Sequence, residues 1–157
     1  MAPTRWAVVG LCMLFNLVDG LDVMAMAFTV YHQASQALLD EQFSLCQQAT
    51  RVQIHRPGAP RLECATYGSG TPVLMLGGLV MQYDVMWRLQ LQALGRGHRL
   101  IMLHLPGCGE AELQPAFDIA HLVADIVTLL DQLGIDQPLP VIGYSFGGVL
   151  AQAFALA

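Results

Sequence analysis

The chain has 157 residues, enough for one domain of ordinary size and a short additional segment. Its net charge is −5 and its seven basic residues are arginines that form no stripe, which argues against a nucleic-acid-binding surface. The lack of lysine excludes a Walker-type phosphate loop and a Schiff-base lysine. The four cysteines show no Cys-x-x-Cys spacing, so we predict no metal site, no redox pair and no cofactor.

Residues 1–31 form the first predicted segment, a hydrophobic helix whose part from 6 to 31 is long enough to cross a bilayer. Asp19 and Asp22 lie on one face of this helix, because residues three apart are neighbours on a helix surface. Each carboxylate costs about 2.5–3.5 kcal/mol near a membrane centre. The favourable insertion free energy of the apolar residues only just offsets this cost, so insertion of the helix on its own is marginal. We predict that this segment associates the protein with a membrane, and we do not assign the side of the membrane on which the remainder of the chain lies. A cytoplasmic location is the alternative.

The element Asp19-Gly20-Leu21-Asp22 belongs to residues 6–28, which resemble the first transmembrane helix of major facilitator superfamily transporters. The resemblance is especially to transporters similar to aromatic-acid/proton symporters, which carry an aromatic residue in the place of Leu21. It implies a helix that packs in a bundle with its carboxylates facing inward. Four other interpretations stay open: a single anchor, a signal peptide with its cleavage site at Ala25-Met26-Ala27, a buried helix of a soluble domain, and an artefactual joining.

Residues 32–49 are polar, glutamine-rich and weakly helical, which is typical of a linker. Residues 50–157 form the predicted α/β domain. It begins with two predicted edge strands, at 50–56 and 61–67, which are joined by a turn at 57–60 that contains two prolines and a glycine.

Strands and helices alternate through the remainder of this domain. Strands are predicted at short apolar runs, and helices where apolar residues recur every three or four positions. The predicted elements are strand 72–76, helix 86–94, strand 99–103, helix 117–133, strand 139–142 and helix 149–157. This alternation predicts a mostly parallel open sheet with flanking helices, in which sites lie at the carboxyl ends of the strands.

The segment Gly143-Tyr144-Ser145-Phe146-Gly147-Gly148 lies between the last predicted strand and the last predicted helix. A sharp turn in this setting lifts a serine hydroxyl clear of the sheet, and glycines around the serine relieve crowding. The helix N-terminus also points at any anion that forms beside the serine. The pattern favours a nucleophilic Ser145, and the alternative is a tight turn that holds Ser145 only because it is small.

Three motifs in this order resemble the α/β-hydrolase fold family: the strand and glycine loop PVLMLGGLV, the segment HLPGCGEAE, and the elbow GYSFGG. The resemblance covers residues 50–157 and implies the N-terminal half of that fold. It implies that Ser145 is the nucleophile and that the backbone N–H groups of Leu79 and Phe146 form an oxyanion hole. The glycines of the elbow and the loop are Gly77, Gly78, Gly143 and Gly147. The implied substrate is a small apolar acyl compound.

The sequence departs from the family pattern at three positions. Many members have His at the position that Gly77 occupies here. They likewise have Asp at the position of His104 and His at the position of Cys108. In this family an Asp or Glu and then a His follow the nucleophile, but the twelve residues after Ser145 contain none of these. We therefore expect a fragment, a truncated product or half of an assembly whose C-terminal half is supplied separately. We also expect the strand before Ser145 to be an exposed edge.

The upstream histidines are candidates for the missing base: His32, His55, His98, His104 and His121. His104 is the most interesting, because its strand is expected to neighbour the strand of Ser145, although a loop or turn-bonding role is the more ordinary interpretation. His121 is predicted to lie at the helix surface. Four carboxylates are predicted on the solvated face and ends of the same helix: Asp118, Asp125, Asp131 and Asp136.

The sequence thus predicts a serine hydrolase of the α/β-hydrolase type that acts on an ester, a thioester or a related acyl bond. Its triad acid and histidine lie outside the printed sequence. One alternative is a non-catalytic binding protein or an inactive remnant with the same fold. Another is a membrane protein whose N-terminal helix packs in a transporter-like bundle.

Overall fold

The computed structural model describes residues 10–12, 36–56, 58–79, 86–109, 111–114 and 118–157. The strands of this part are β1 (Gly10–Cys12), β2 (Thr50–Ile54), β3 (Leu62–Tyr67), β4 (Thr71–Leu76), β5 (His98–His104) and β6 (Val141–Gly143). Its helices are α1 (Gln36–Gln47), α2 (Arg88–Leu94), α3 (Ile119–Gln132) and α4 (Phe146–Leu156). The strands form one sheet in the order β1-β6-β4-β5-β3-β2.

The sheet is mixed and mostly parallel. Strands β1, β6, β4 and β5 run parallel to one another, and β3 and β2 extend the sheet in the antiparallel direction beyond β5. The predicted mostly parallel sheet with flanking helices is confirmed. The two strands predicted at 50–56 and 61–67 also form, but only β2 lies at the edge, because β3 pairs with β5 on its other side.

Helices cover both faces of the sheet, so its central strands β4 and β5 are buried on both sides over most of their length. Successive side chains of a strand point to opposite faces, and β4 shows this directly. Leu74 and Leu76 join the cluster that includes residues of α3 and α4, whereas Val73 and Met75 join the cluster on the side of α1 and α2. Burial on both faces explains why the sequence of β4 is continuously apolar rather than alternating.

Helix α1 belongs to the folded domain. It packs against α2, and its Cys46 is buried in the cluster on that side of the sheet. At the surface, the Gln92 amide donates to a Glu41 carboxylate oxygen at 3.1 Å. Residues 36–47 of the segment 32–49, which is predicted to be a weakly helical linker, thus form a helix that packs on the domain.

The N-terminal segment contributes a strand in its described part. Gly10–Cys12 pairs with β6 in parallel register, from Gly10 opposite Val141 to Cys12 opposite Gly143. The predicted helix is thus wrong at these three positions, and so is the exposed edge predicted for β6. The other residues of 1–31 lie outside the described part. No helix within the described residues is long and apolar enough to span a membrane, and the transporter resemblance gains no support from them.

Asp125 is the one predicted surface carboxylate of α3 that is buried. Its side chain is 7% exposed, and it forms an ion pair with Arg56, whose side chain is 10% exposed. The predicted solvated position is therefore wrong for Asp125. Asp118 does lie at the helix end, where it caps α3 by accepting a hydrogen bond from the His121 amide at 2.8 Å. Asp131 and Asp136 are exposed.

Candidate active site

Ser145 occupies a sharp turn between β6 and α4. Its backbone has φ 53° and ψ −122°, and among the described non-glycine residues it alone has a positive φ. A side chain in that conformation is strained, and such strain concentrates at functional sites. The Ser145 residue is exposed, and its hydroxyl makes no capping hydrogen bond to α4. The hydroxyl is therefore presented at the carboxyl end of the sheet.

Close backbone packing explains the glycines at 143 and 147. A Cβ on Gly143 would lie 2.6 Å from Gly148 Cα, and a Cβ on Gly147 would lie 2.6 Å from the Gly77 carbonyl oxygen. The Tyr144 amide also donates to the Leu76 carbonyl oxygen at 3.0 Å. The end of β4 thus fits tightly against the start of α4, and no side chain can stand between them.

The loop after β4 reaches the elbow. A Cβ built on Gly78 would lie 3.5 Å from Ser145 Cβ, so Gly78 is a direct neighbour of the serine. Leu79 follows Gly78, and the residue is 49% exposed. The structure therefore brings the predicted Gly77, Gly78 and Leu79 to the same edge as Ser145.

The first turn of α4 begins immediately after Ser145. The Gly147 and Gly148 amides donate to the carbonyl oxygens of Tyr144 and Ser145, both at 2.9 Å. Phe146 is the first residue of α4, and amides in that position have no partner within the helix. The start of α4 is therefore suited to hold negative charge beside Ser145.

His104 lies apart from Ser145. The expectation that its strand neighbours the strand of Ser145 is wrong, because β4 lies between β5 and β6. Two strand spacings separate β5 from β6, which is roughly 10 Å. The His104 side chain is 2% exposed, and its Nδ1 lies 3.1 Å from an Oε1 of Glu63, which is equally buried. The ring also packs against Gly109, where a Cβ would overlap it.

The other described histidines also have local roles. His55 is exposed just after β2, and its carbonyl oxygen accepts a hydrogen bond from Gln132 at 2.7 Å. His98 begins β5, at the opposite end of the parallel strands from Ser145, and its Nδ1 lies 3.1 Å from the Leu94 carbonyl oxygen. His121 is exposed, and its Nδ1 lies 2.8 Å from Asp118 Oδ1. His32 lies outside the described residues.

Asp118 is held ionised by its place at the start of α3. A hydrogen bond from the His121 backbone amide, followed by one from the His121 ring, lowers the pKa of its carboxyl below the ordinary value of 3.8. Cys64 shows the opposite effect, because burial raises the pKa of its thiol to about 12. In the described ranges no three His, Cys, Asp or Glu side chains lie together as a metal site would need.

Two buried polar pairs were not predicted from the sequence: Glu63 with His104 and Arg56 with Asp125. Each joins residues on different elements, so no local pattern identifies them. Tyr144 was likewise not predicted to belong to the site, although its ring lies beside Gly78 and Ser145. Its position next to the serine in the elbow motif was the available signal.

The chain belongs to the α/β-hydrolase fold family. The family model described as the alpha/beta hydrolase fold matches residues 71–157, which include β4, β5 and the Ser145 elbow. This match agrees with the sheet order, the helices on both faces and the strand–turn–helix at Ser145.

Similar proteins include synthases and hydrolases that are longer than this chain. Polyketide synthase ThaQ of Burkholderia thailandensis is 37% identical over 107 residues, which cover 68% of this chain and 5% of the synthase. Epoxide hydrolase 2 of Siraitia grosvenorii is 39% identical over 100 residues, which cover 60% of this chain and 31% of the relative. The crystal structure of epoxide hydrolase VrEH1 from Vigna radiata has 31% sequence identity and a TM-score of 0.62, with 70% of this chain and 36% of that chain covered. The match thus spans only 5% of the synthase and about a third of each of the two epoxide hydrolases.

Proposed function

We propose that this chain carries the nucleophile of a hydrolase that cleaves an acyl bond, and that the nucleophile is Ser145. The observation that carries the proposal is the strained, exposed Ser145 at the start of α4, with the loop from Gly77 to Leu79 beside it. Strain of this kind persists only where the surrounding structure holds it, and here the tight packing of Gly143 and Gly147 does so.

The proposed reaction is acyl transfer to water. Ser145 Oγ forms a bond to the substrate carbonyl carbon while its proton passes to a base, and the carbonyl oxygen becomes an oxyanion. The amides of Leu79 and Phe146 hold that oxyanion. The bond from the carbonyl carbon to the alcohol or thiol breaks, and the leaving group takes up the proton. Water then attacks the acyl-serine in the same way and releases the acid.

A serine at this position favours acyl substrates over epoxides, although two of the similar proteins are epoxide hydrolases. Attack of a serine oxygen on an epoxide carbon would leave an ether, which offers no carbonyl for water to attack. Attack on an ester or thioester instead leaves an acyl-serine that water can cleave. We therefore propose a small apolar ester or thioester as the substrate class.

The triad acid and histidine of the proposed enzyme come from polypeptide other than the described residues. The side chains of the described histidines at 98, 104 and 121 contact Leu94, Glu63 and Asp118 respectively. We propose that a further C-terminal portion, corresponding to the additional length of the relatives, supplies both groups. A serine without a base is a weak nucleophile, so such a portion would raise the rate strongly.

The same histidine contacts favour a second candidate, a non-catalytic protein that binds a small apolar ligand at the elbow. Hydrolysis of p-nitrophenyl acetate by the full-length protein, which includes the proposed C-terminal portion, separates the two. We expect hydrolysis above the buffer rate in the wild type and its loss in Ser145→Ala. Ser69→Ala, which changes an exposed serine in the turn before β4, should hydrolyse at the wild-type rate. Equal rates in wild type and Ser145→Ala would favour the binding protein.

A further inference from the structure

At one end of the sheet, the first strand of the described chain pairs with the last. Among the described strands β1 pairs only with β6, in parallel, with Leu11 opposite Ile142. Helix α4 packs against both of them. The flank of β6 that faces away from β4 is therefore filled by a strand from near the N-terminus.

The hand of the crossovers determines where a strand after α4 would lie. From β5 the chain crosses over β4 to β6 through α3, and from β4 it passes to β5 in the opposite direction through α2, on the other face of the sheet. Both steps have the same hand, and crossovers between parallel strands are almost always right-handed. Helix α4 lies on the face of α3, because Phe154 and Leu122 belong to one buried cluster. A parallel strand after α4 therefore belongs on the flank of β6 that β1 fills.

We infer that β1 is a displaceable occupant of this flank, and that a strand of the C-terminal portion replaces it when the enzyme becomes active. The inference rests on the proposed function, which assigns the triad acid and histidine to that portion. It adds an autoinhibitory contact to that function. While β1 fills the flank, the C-terminal portion cannot continue the sheet beside Ser145, so its acid and histidine are kept from the serine.

The length and connection of the two strands favour the replacement. Strand β1 has three residues, and its pairing closes a loop over nearly the whole chain, which costs conformational entropy. A strand that follows α4 closes only a short crossover and loses less entropy when it pairs. The relatives have the length for such strands, since the matched region covers only 36% of VrEH1.

Two backbone amides report on the β1–β6 pairing. The Tyr144 N–H donates to the Leu76 carbonyl oxygen of β4, and successive amides of a strand point to opposite sides, so the Gly143 N–H points toward β1. In a parallel pair, a residue bonds with the two neighbours of the residue opposite it. Leu11 lies opposite Ile142, so its own amide points toward β6 and its carbonyl accepts from Gly143.

Hydrogen exchange of these two amides, followed by NMR, tests the inference without any need for turnover. In the 157-residue chain both Leu11 and Gly143 should be protected, because β1 fills the flank. In the full-length protein Gly143 should stay protected by the new strand, whereas Leu11 should exchange at least about tenfold faster, because a displaced strand exposes its amides to water. Equal protection of Leu11 in the two proteins overturns the inference. Faster exchange of Gly143 in the full-length protein overturns it too, because nothing would then have replaced β1.

A proline variant of the full-length protein tests the effect on activity. Leu11→Pro removes the β1 amide that points toward β6. Ser145-dependent hydrolysis of p-nitrophenyl acetate per folded molecule should therefore rise at least about twofold, in proportion to the molecules whose flank is freed. Cys12→Pro is the matched control and should keep the wild-type rate, since its amide points away from β6 and proline is tolerated on the outer side of an edge strand. An unchanged rate in Leu11→Pro contradicts the autoinhibitory contact.

The exchange measurement uses only the wild-type sequence, so it decides the question even where Leu11→Pro fails to fold. It also separates the inference from the proposed reaction. Exposure of Leu11 in the full-length protein without any Ser145-dependent hydrolysis supports the strand replacement and rejects the reaction. Ser145-dependent hydrolysis with Leu11 equally protected in both proteins supports the reaction and rejects the replacement.

Discussion

Arg56 and Asp125, 69 residues apart in the chain, form an ion pair in which both side chains are at least nine-tenths buried. Arg56 Nε also donates to the Pro60 carbonyl oxygen at 2.9 Å. The pair joins the end of β2 to the middle of α3, so it fixes the antiparallel part of the sheet to the helix layer. A buried charge of this kind is tolerated only while its partner is present.

Removal of one partner of this pair should destabilise the chain more than removal of both. Asp125→Ala leaves the Arg56 guanidinium buried without its counter-charge, and we expect a loss of about 3–5 kcal/mol in the free energy of unfolding. The double variant Arg56→Met with Asp125→Leu should lose less, because neither charge is left behind. Urea unfolding measures both. Asp131→Ala, on the exposed face of the same helix, should change stability by no more than about 0.5 kcal/mol.

Gly147 and Gly148 should respond in opposite directions to the same substitution. Gly147→Ala drives a methyl group into the Leu76 carbonyl, so we expect a loss of at least about 2 kcal/mol. At Gly148 the nearest atom to a new Cβ is the Gly143 carbonyl oxygen at 3.7 Å, and alanine favours the helix by up to about 1 kcal/mol. Thermal unfolding of the two variants tests the contrast, and equal destabilisation would contradict the tight packing of β4 against α4.

His104 should prove structural rather than catalytic. His104→Gln removes the imidazole that contacts the buried Glu63 carboxyl, so we expect a loss of about 1–3 kcal/mol, moderated by Arg51, whose guanidinium lies 3.5 Å from Glu63. Any Ser145-dependent hydrolysis per folded molecule should be unchanged. Urea unfolding and initial rates with p-nitrophenyl acetate measure the two effects, with His55→Gln as an exposed control. A lost rate at unchanged stability would make His104 the base.

Asp118 should give α3 a stability that depends on pH. Its pKa is lowered in the folded chain, so its contribution is present above the ordinary value of 3.8 and is lost as the pH falls through the lower, folded value. The Tm difference between wild type and Asp118→Asn should therefore be present at about pH 6 and vanish in strong acid.

A second variant separates the causes of that lowered pKa. The backbone amide of residue 121 is the largest cause, and it remains in His121→Ala. The pKa of Asp118 in that variant, followed by NMR titration of the carboxyl carbon, should therefore stay below its ordinary value. A return to the ordinary value would assign the effect to the His121 ring instead.

Local patterns predicted most of the fold because buried parallel strands leave a clear mark in sequence. The apolar run of β4 ends in Gly77-Gly78, and the run before Ser145 ends in the elbow. Both the strands and the turn could therefore be predicted from the sequence. The order of the strands in the sheet could not be predicted from local patterns, since it depends on pairing between distant segments. His104 was therefore placed one strand too close to Ser145.

The remaining differences also come from distant contacts. Asp125 follows Leu122 by three positions and precedes Leu129 by four, so it lies on the apolar face of α3, and only its pairing with Arg56 makes that position acceptable. Gly10–Cys12 belongs to an apolar run whose sequence fits a helix or a strand equally well. Its pairing with β6, which would otherwise lie at the edge of the sheet, favours the strand.

The pairing of β1 with β6 sets the order in which the sheet can be completed. Gly10–Cys12 is synthesised first, yet its partner Val141–Gly143 emerges only after nearly the whole printed sequence. Pairing across such a sequence separation slows folding, so we expect β1 to dock late, onto a sheet in which β4 and β5 are already joined. Until then the flank of β6 beside Ser145 is open on the nascent chain, and chaperone demand should be greatest at that stage of folding.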